Sequence, residues 1–122
     1  MQTTRMPTIR DLVANLSARP GVDAAVLLGR DGLLIDGAGA DGAGLEAAAA
    51  YVPSLIAAAE ELSSAVGSGR LVSKVLEFER GFAVISALSA EALLLVLVSS
   101  ASDLGAIVGD IRRHRSHIAA IL

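Results

Sequence analysis

The sequence predicts a single domain of the α/β class, more narrowly α+β, with the element order helix, two strands, helix, three strands, helix. Two apolar runs flank an Asp31-Gly32 pair, which favours a tight hairpin because glycine accepts a positive φ. A helical pattern extends from Leu45 to Val66, and the three strand patterns after it are joined by connections too short for parallel crossovers. We therefore expect an antiparallel sheet in one domain over 8–122, preceded by a flexible N-terminus over 1–7.

Composition excludes several functional classes. The chain of 122 residues has no cysteine, a net charge of −3 and only three aromatic residues, so thiolate chemistry is absent and a nucleic-acid partner is not favoured. The longest strongly apolar run, Ala92 to Val98, is far shorter than the roughly 20 residues that span a bilayer. We expect a cytoplasmic protein with no integral membrane segment.

Apolar periodicity and turn residues place the individual elements. The hairpin connection is Gly29 to Gly32, and Gly67 to Gly69 ends the long helix. The predicted helices cover Ile9–Ala18, Leu45–Val66 and Leu104–Leu122, and the predicted strands cover Val22–Leu28, Leu33–Asp36, Arg70–Phe78, Gly81–Leu88 and Ala92–Ser99.

The segment Gly37 to Gly42 matches the spacing G-x-G-x-x-G that binds dinucleotides between a strand and a helix. That motif requires a parallel strand-helix-strand unit with an acidic residue near the end of the second strand. Here the preceding strand is the return arm of a hairpin, and the acids at the right distance, Glu60 and Glu61, fall inside a helix. We interpret the segment as a flexible glycine-rich connection and expect no cofactor.

The long central helix has an unusual outer side. Alanines occupy most outward positions, and small apolar residues favour a second packing partner. Pro53 is expected to kink the helix, since it cannot donate to the carbonyl of Ala49. The predicted buried stripe consists of Leu45, Ala48, Ala49, Val52, Ile56, Ala59, Leu62 and Val66.

No catalytic constellation is present, so the sequence does not favour an enzyme. His114 and His117 are the only histidines and lack the further ligands of a metal site. The basic residues Arg112, Arg113 and Arg115 lie late in the last helix, where cations complement the helix dipole. A solvated face is favoured, with an acidic partner or anionic lipid as the alternative.

The element order, together with the stretch from Gly21 to Ile35 (GVDAAVLLGRDGLLI), resembles the Roadblock/light-chain-seven family, and more narrowly its bacterial MglB-like members. The resemblance covers Ile9 to Leu122. It implies a five-stranded antiparallel αββαβββα sandwich with the long helix on one face and the two terminal helices on the other. It also implies a homodimer that pairs the edge strand 70–78 and the long helices. The implied interface residues are Ala47, Ala50, Ala57, Ala58, Leu71, Ser73, Val75 and Glu77.

The MglB-like resemblance further implies a non-enzymatic regulator that binds a Ras-like small GTPase and promotes GTP hydrolysis. It would arrange the catalytic residues of the GTPase itself, without inserting an arginine finger. Two alternatives stay open: a structural adaptor of the same fold, and a profilin-like small-molecule sensor, which the scarcity of interior polar residues disfavours. The implied partner-binding residues are Glu46, Tyr51, Ser54, Glu60, Glu61 and Ser64.

Overall fold

The computed structural model describes residues 9–39, 42–99 and 101–121. The predicted N-terminal segment 1–7 lies outside the described residues. Among the described helices, none is both long enough and apolar enough to cross a membrane. The elements are α1 (Ile9–Ser17), β1 (Val22–Gly29), β2 (Leu34–Gly39), α2 (Gly42–Val66), β3 (Ser73–Phe78), β4 (Gly81–Ala87), β5 (Ala92–Val98) and α3 (Ala101–Ile121).

The five strands form one antiparallel sheet in the order β2-β1-β5-β4-β3, which confirms the predicted fold class. Strand β5 lies centrally and is apolar throughout, as predicted for a strand covered on both faces. Strand β3 lies at one edge, also as predicted, but it begins at Ser73 instead of Arg70. The pairing with β4 starts only at Ser73 opposite Ser86, so residues 70–72 belong to the preceding connection.

The sheet separates two cores. Helix α2 covers one face, while α1 and α3 cover the other, as the resemblance implies. The α2 core consists of Ala24, Val26, Leu28, Leu45, Ala49, Val52, Ile56, Ala83, Ile85, Leu93 and Leu95. The opposite core consists of Val13, Leu16, Ala25, Leu27, Val84, Leu88, Ala92, Leu94, Val96, Val98, Ile107 and Ile111.

The turn between β1 and β2 has the glycine that the sequence predicted. Gly32 adopts a φ of 88°, and its amide donates to the carbonyl of Gly29 over 3.0 Å. The Asp31 carboxylate accepts a hydrogen bond from the amide of Leu33 over 3.0 Å. A side chain of the turn thereby stabilises the backbone of the turn. A side chain at Gly32 would approach Pro53 of α2, so the turn lies directly against the helix.

The glycine-rich segment after β2 was predicted as a flexible connection, and this prediction is wrong for its first half. Gly37, Ala38 and Gly39 pair with β1 as the end of β2. Gly39 has a φ of 111°, and a Cβ there would come within 2.3 Å of the Asp23 carbonyl oxygen. The glycine therefore permits a close approach between strands, which a composition-based argument does not detect.

The predicted buried stripe of α2 is correct as far as Ala59 and wrong at its end. Leu62 and Val66 are 65% and 64% exposed. The helix has 25 residues, or roughly 37 Å at 1.5 Å per residue, and is longer than the strands beneath it. Its last turns pass the end of the sheet, where Glu60 meets Arg30 in the β1–β2 turn. The helix stays continuous through Pro53.

Candidate protein interface on helix α2 and strand β3

Helix α2 has three solvent-facing sides: a flank toward β2, a flank toward β3, and between them a crest that faces away from the sheet and includes Ala47, Ser54 and Glu61. One flank lies on the β2 side, because Gly32 packs against Pro53 and Gly37 faces Leu45. The other lies on the β3 side, where Lys74 Nζ donates to the carbonyl of Leu55 over 3.5 Å. Residues three or four apart share a helix face, so these contacts assign the remaining α2 positions to one side or the other.

The β3 flank of α2 is apolar and exposed. Tyr51, Leu55, Ala58, Leu62 and Val66 follow one another at spacings of three or four residues. Tyr51 is 73% exposed, Leu62 and Val66 are nearly as exposed, and Leu55 packs partly against the α2 core. An exposed apolar stripe of this length is typical of a protein contact.

Edge strand β3 continues that apolar flank. Phe78 shares the α2 side of the sheet, as its register with β4 shows, and is 58% exposed. Val75 lies on the opposite side and is 44% exposed, while Ser73 and Glu77 share its face. We call the residues on the α2 side of the sheet, Tyr51, Leu55, Ala58, Leu62, Val66 and Phe78, the α2–β3 surface.

The edge of β3 carries one exposed charge, Glu77, and otherwise little of the protection that unpaired strands usually have. Charged side chains, lysine above all, normally block edge-to-edge pairing. Lys74 is the one lysine of the chain, and its ammonium is turned back to α2. Leu71, which was predicted as an interface residue, lies before the strand and is partly buried against the α2 core.

The alanines predicted for a dimer interface are all exposed, but they do not share one side of α2. Ala58 lies on the β3 flank, whereas helical spacing places Ala47 on the crest and Ala50 and Ala57 on the β2 flank.

The residues predicted to bind a partner are likewise all exposed and spread around the helix. Tyr51 lies on the β3 flank, and Ser54 and Glu61 lie on the crest. Glu46, Glu60 and Ser64 lie on the β2 flank. The structure thus brings no more than two or three of them together on any one side.

Comparison with known proteins assigns the family. A family model described as the Roadblock/LC7 domain matches residues 8–98, which is most of the chain. The protein belongs to the Roadblock/LC7 family. A comparison with curated proteins finds no match.

Solved MglB structures are similar to this Roadblock/LC7 domain. MglB of Myxococcus xanthus is 18% identical with a TM-score of 0.83, and the match covers 93% of each chain. The gliding protein MglB of Thermus thermophilus is 22% identical with a TM-score of 0.82, over 98% of this chain and 93% of that one. An MglB with a tetrameric arrangement is also 22% identical with a TM-score of 0.82, over 98% and 92% of the two chains. At these identities, the similarity establishes a common fold.

One arginine of this Roadblock/LC7 domain has a role that the sequence did not suggest. Arg30 donates from Nε and Nη2 to the carbonyl of Ser89 over 3.4 and 3.2 Å, and from Nη1 to Glu60 over 3.3 Å. Its backbone amide also donates to the carbonyl of Glu91 over 3.1 Å. Arg30 therefore joins the β1–β2 turn, the β4–β5 turn and α2 at one end of the sheet. Glu60, a predicted partner residue, is already engaged in this contact.

A second unexpected contact lies on the opposite face. Arg115 Nη2 of α3 donates to Ser86 Oγ over 3.0 Å and to the carbonyl of Val72 over 3.4 Å. Burial, and secondly the charge of Arg112, lower the pKa of Arg115 below its usual range. The prediction of a solvated basic face is therefore wrong for Arg115, because its guanidinium reaches inward to the sheet. Arg112 and Arg113 are exposed as predicted.

Charge is distributed unevenly over the domain. Helix α2 contains Glu46, Glu60 and Glu61 and no basic residue. Glu46 and Glu61 lie in solvent, while Glu60 pairs with Arg30. A partner that binds the crest of α2 therefore contacts an acidic surface, and α2 has no arginine that could insert into the partner.

Proposed function

We propose that this Roadblock/LC7 domain forms a homodimer that binds a Ras-like small GTPase and promotes its GTP hydrolysis in the cytoplasm. In this proposal the chain is a regulator and not itself an enzyme. The observation that carries it is the α2–β3 surface, an exposed apolar flank next to the edge strand of the sheet. Family membership and the fold shared with MglB support it.

The dimer would form by pairing β3 with the same strand of a second copy. A two-fold axis makes such a contact isologous, so each α2 flank would meet its equivalent across the axis. Tyr51, Leu62 and Phe78 would lose their exposure, and the ten strands of two copies would form one sheet. The tetrameric arrangement of a similar MglB supports association of this fold with itself. Ala58 would contribute to this contact, and contributions from Ala47, Ala50 and Ala57 stay predictions as well.

The edge residues of β3 would complete this contact. Ser73, Val75 and Glu77 would lie along the paired edges on the α3 side of the sheet, whereas Leu71 precedes the strand and packs on the α2 side. Glu77 would then need a partner, because like charges brought together across a two-fold axis repel.

The GTPase would bind the outer side of the paired α2 helices. Glu61 and Ser54 on the crest are the central candidates, with Glu46, Glu60 and Ser64 beside them and Tyr51 nearer the dimer axis. Since α2 has no basic residue, it cannot insert an arginine finger. Acceleration would come from arranging the catalytic residues of the GTPase, which is a different route from an arginine supplied in trans.

The direct test measures GTP turnover by the Ras-like GTPase encoded nearest to this protein, with and without an excess of the purified chain. We expect faster turnover with the wild type. Glu61→Lys should remove most of the effect, whereas Glu79→Lys, which changes an exposed acid of the β3–β4 turn, should not. Unchanged turnover together with no binding would reject the proposal.

The same assay separates the regulator from the adaptor. An adaptor of this fold would bind its partner without changing the rate of hydrolysis. Binding measured by calorimetry with an unaltered single-turnover rate would therefore support the adaptor and reject GTPase activation.

A further inference from the structure

The second free edge of the sheet, strand β2, carries an apolar surface that the proposed dimer does not use. Leu33, Leu34 and Ile35 are 69%, 37% and 54% exposed. A bulge in the pairing with β1 leaves Ile35 between two paired positions. Three successive exposed apolar side chains at the edge of a sheet favour pairing with another strand.

The β2 edge lacks the residues that usually prevent such pairing. The strand contains no lysine and no proline, and its one charge belongs to Asp36. The carboxylate of Asp36 accepts from the amide of Gly37 over 2.9 Å, so it is folded against its own backbone. Apart from the Gly37 amide, which Asp36 already occupies, β2 therefore has no proline or exposed lysine to oppose main-chain hydrogen bonds from an added strand.

The β2 flank of α2 forms a wall above this edge. Ala50, Pro53 and Ala57 share that flank at helical spacing, and their small side chains leave room beside the strand. Glu46 and Glu60 bracket them on the same flank. These two acids lie fourteen residues apart, or roughly 21 Å along the helix, which is about the length of six residues in a strand.

The charges around the β2 edge indicate what kind of peptide would bind there. The turn, β2 and the β2 flank together contain the carboxylates of Asp31, Asp36, Glu46 and Glu60 and the single guanidinium of Arg30. Arg30 is already bonded to Glu60 and to the carbonyl of Ser89. A second copy of this chain would bring the same acids face to face, which is unfavourable. A basic segment would instead be attracted.

We propose that the β2 edge binds an extended peptide segment of a partner protein that carries apolar residues between basic ones. The segment would add to the sheet as a sixth strand beside β2. On the face of the sheet that α2 covers, its apolar side chains would contact Leu34 and the small residues of the α2 flank. Its basic residues would be attracted to Glu46 and to the carboxylates around the β1–β2 turn. This proposal does not depend on the β3 dimer or on GTPase binding, because it uses the opposite edge of the sheet.

The test uses a capped eight-residue peptide with lysine at both ends and alternating valine and threonine between them. The matched control peptide has glutamate in place of both lysines. Amide resonances of the full chain, followed by NMR during titration, should shift along 34–39, and the amides of β2 should gain protection from hydrogen exchange. The lysine peptide should bind at least about tenfold more tightly than the glutamate peptide, with weaker binding at high salt.

Two chain variants locate the site. Ile35→Lys should weaken peptide binding by about tenfold or more, because it places a like charge on the edge. Val75→Lys changes a similarly exposed apolar residue of the other edge, and peptide binding should be unchanged. A folded Ile35→Lys variant is expected because the side chain is half exposed, and its amide spectrum verifies this.

Three results would overturn the proposal. The first is no shift along β2 at about 1 mM peptide. The second is equal binding of the two peptides, or shifts confined to β3. The third is a fall in the mass of the wild-type assembly caused by Ile35→Lys, because a second copy would then be the occupant of the β2 edge.

Discussion

Arg115 of α3 and Ser86 of β4 are joined by a hydrogen bond of 3.0 Å between Nη2 and Oγ. The Ser86 side chain is completely buried. Among the residues that the structure describes, it is the single polar residue in the buried class. The Nε atom of the same guanidinium is buried without a hydrogen-bond partner. The contact therefore ties α3 to the sheet at one polar point in an otherwise apolar layer.

We expect the two residues to be energetically coupled. Arg115→Met leaves the Ser86 hydroxyl buried without this partner, which should cost about 1–3 kcal/mol in the free energy of unfolding. Ser86→Ala removes the acceptor and should cost a comparable or smaller amount, because the guanidinium retains partial access to solvent. The double variant should lose less than the sum, by about 1 kcal/mol. Urea unfolding at one fixed protein concentration measures all four free energies, and strictly additive losses would contradict the coupling.

The last residue of β2 should tolerate no side chain. Gly39 has a φ of 111°, and an added Cβ would meet the Asp23 carbonyl oxygen at 2.3 Å. Gly39→Ala is therefore expected to destabilise the fold by about 2 kcal/mol or more. Gly44→Ala is the matched control, since a Cβ there meets nothing within 4 Å and alanine favours the helix by about 0.5–1 kcal/mol. Thermal unfolding that shows equal effects at the two glycines would refute the close approach.

Local patterns in the sequence predicted the elements and their order because each signal is contained in a short stretch. The Asp31-Gly32 turn and the three closely spaced strands fix antiparallel neighbours without any distant contact. The joining of all five strands into one sheet came only through the family resemblance, and the pairing of β1 with β5 that achieves it was not predicted. That step depends on long-range contacts that periodicity does not report.

The errors of prediction have a common physical origin in tertiary contacts. Leu62 and Val66 fit the apolar period of α2, but the sheet ends beneath Glu60, so their side chains remain in solvent. Gly37 to Gly39 have the composition of a loop, yet the close approach of β1 and β2 requires small residues there. A pattern along one element cannot show where its neighbour ends.

The candidate interface was predictable in part. An alanine-rich outer side of α2 indicated a second packing surface, and the edge position of β3 followed from its mixed polarity. The division of α2 into a β3 flank and a β2 flank was not predictable, because it depends on which helix positions touch Gly32 and Lys74. The contacts of Arg30 were missed for the same reason.

Arg30 should stabilise one end of the sheet mainly through its bonds to backbone. Arg30→Ala removes the donors to the Ser89 carbonyl and to Glu60, and we expect a loss of about 1–2 kcal/mol in the free energy of unfolding. Glu60→Gln removes only a half-exposed ion pair and should cost less than about 1 kcal/mol. Chemical denaturation ranks the two variants, and a larger loss for Glu60→Gln would contradict this assignment.

The charged variant Ala58→Glu tests the dimer. Ala58 lies between Tyr51 and Leu62 on the exposed apolar flank of α2, so a carboxylate there would be buried without a partner once two flanks meet. The cost of removing a charge from water is several kcal/mol, enough to convert the dimer into a monomer at micromolar concentration. Sedimentation velocity measures the mass directly. A monomeric wild type, or a variant with the mass of a dimer, would contradict the proposed contact.

The neighbouring variant Ala57→Glu distinguishes between two descriptions of that contact. Ala57 is also exposed, but it lies on the β2 flank, where a glutamate stays in solvent if the dimer uses the β3 side. We therefore expect Ala57→Glu to remain a dimer, with the sedimentation coefficient of the wild type. If both variants are monomeric, the contact extends across the crest to all four predicted alanines. That result would place the dimer axis over Ala47, Ala50, Ala57 and Ala58 together, instead of beside β3.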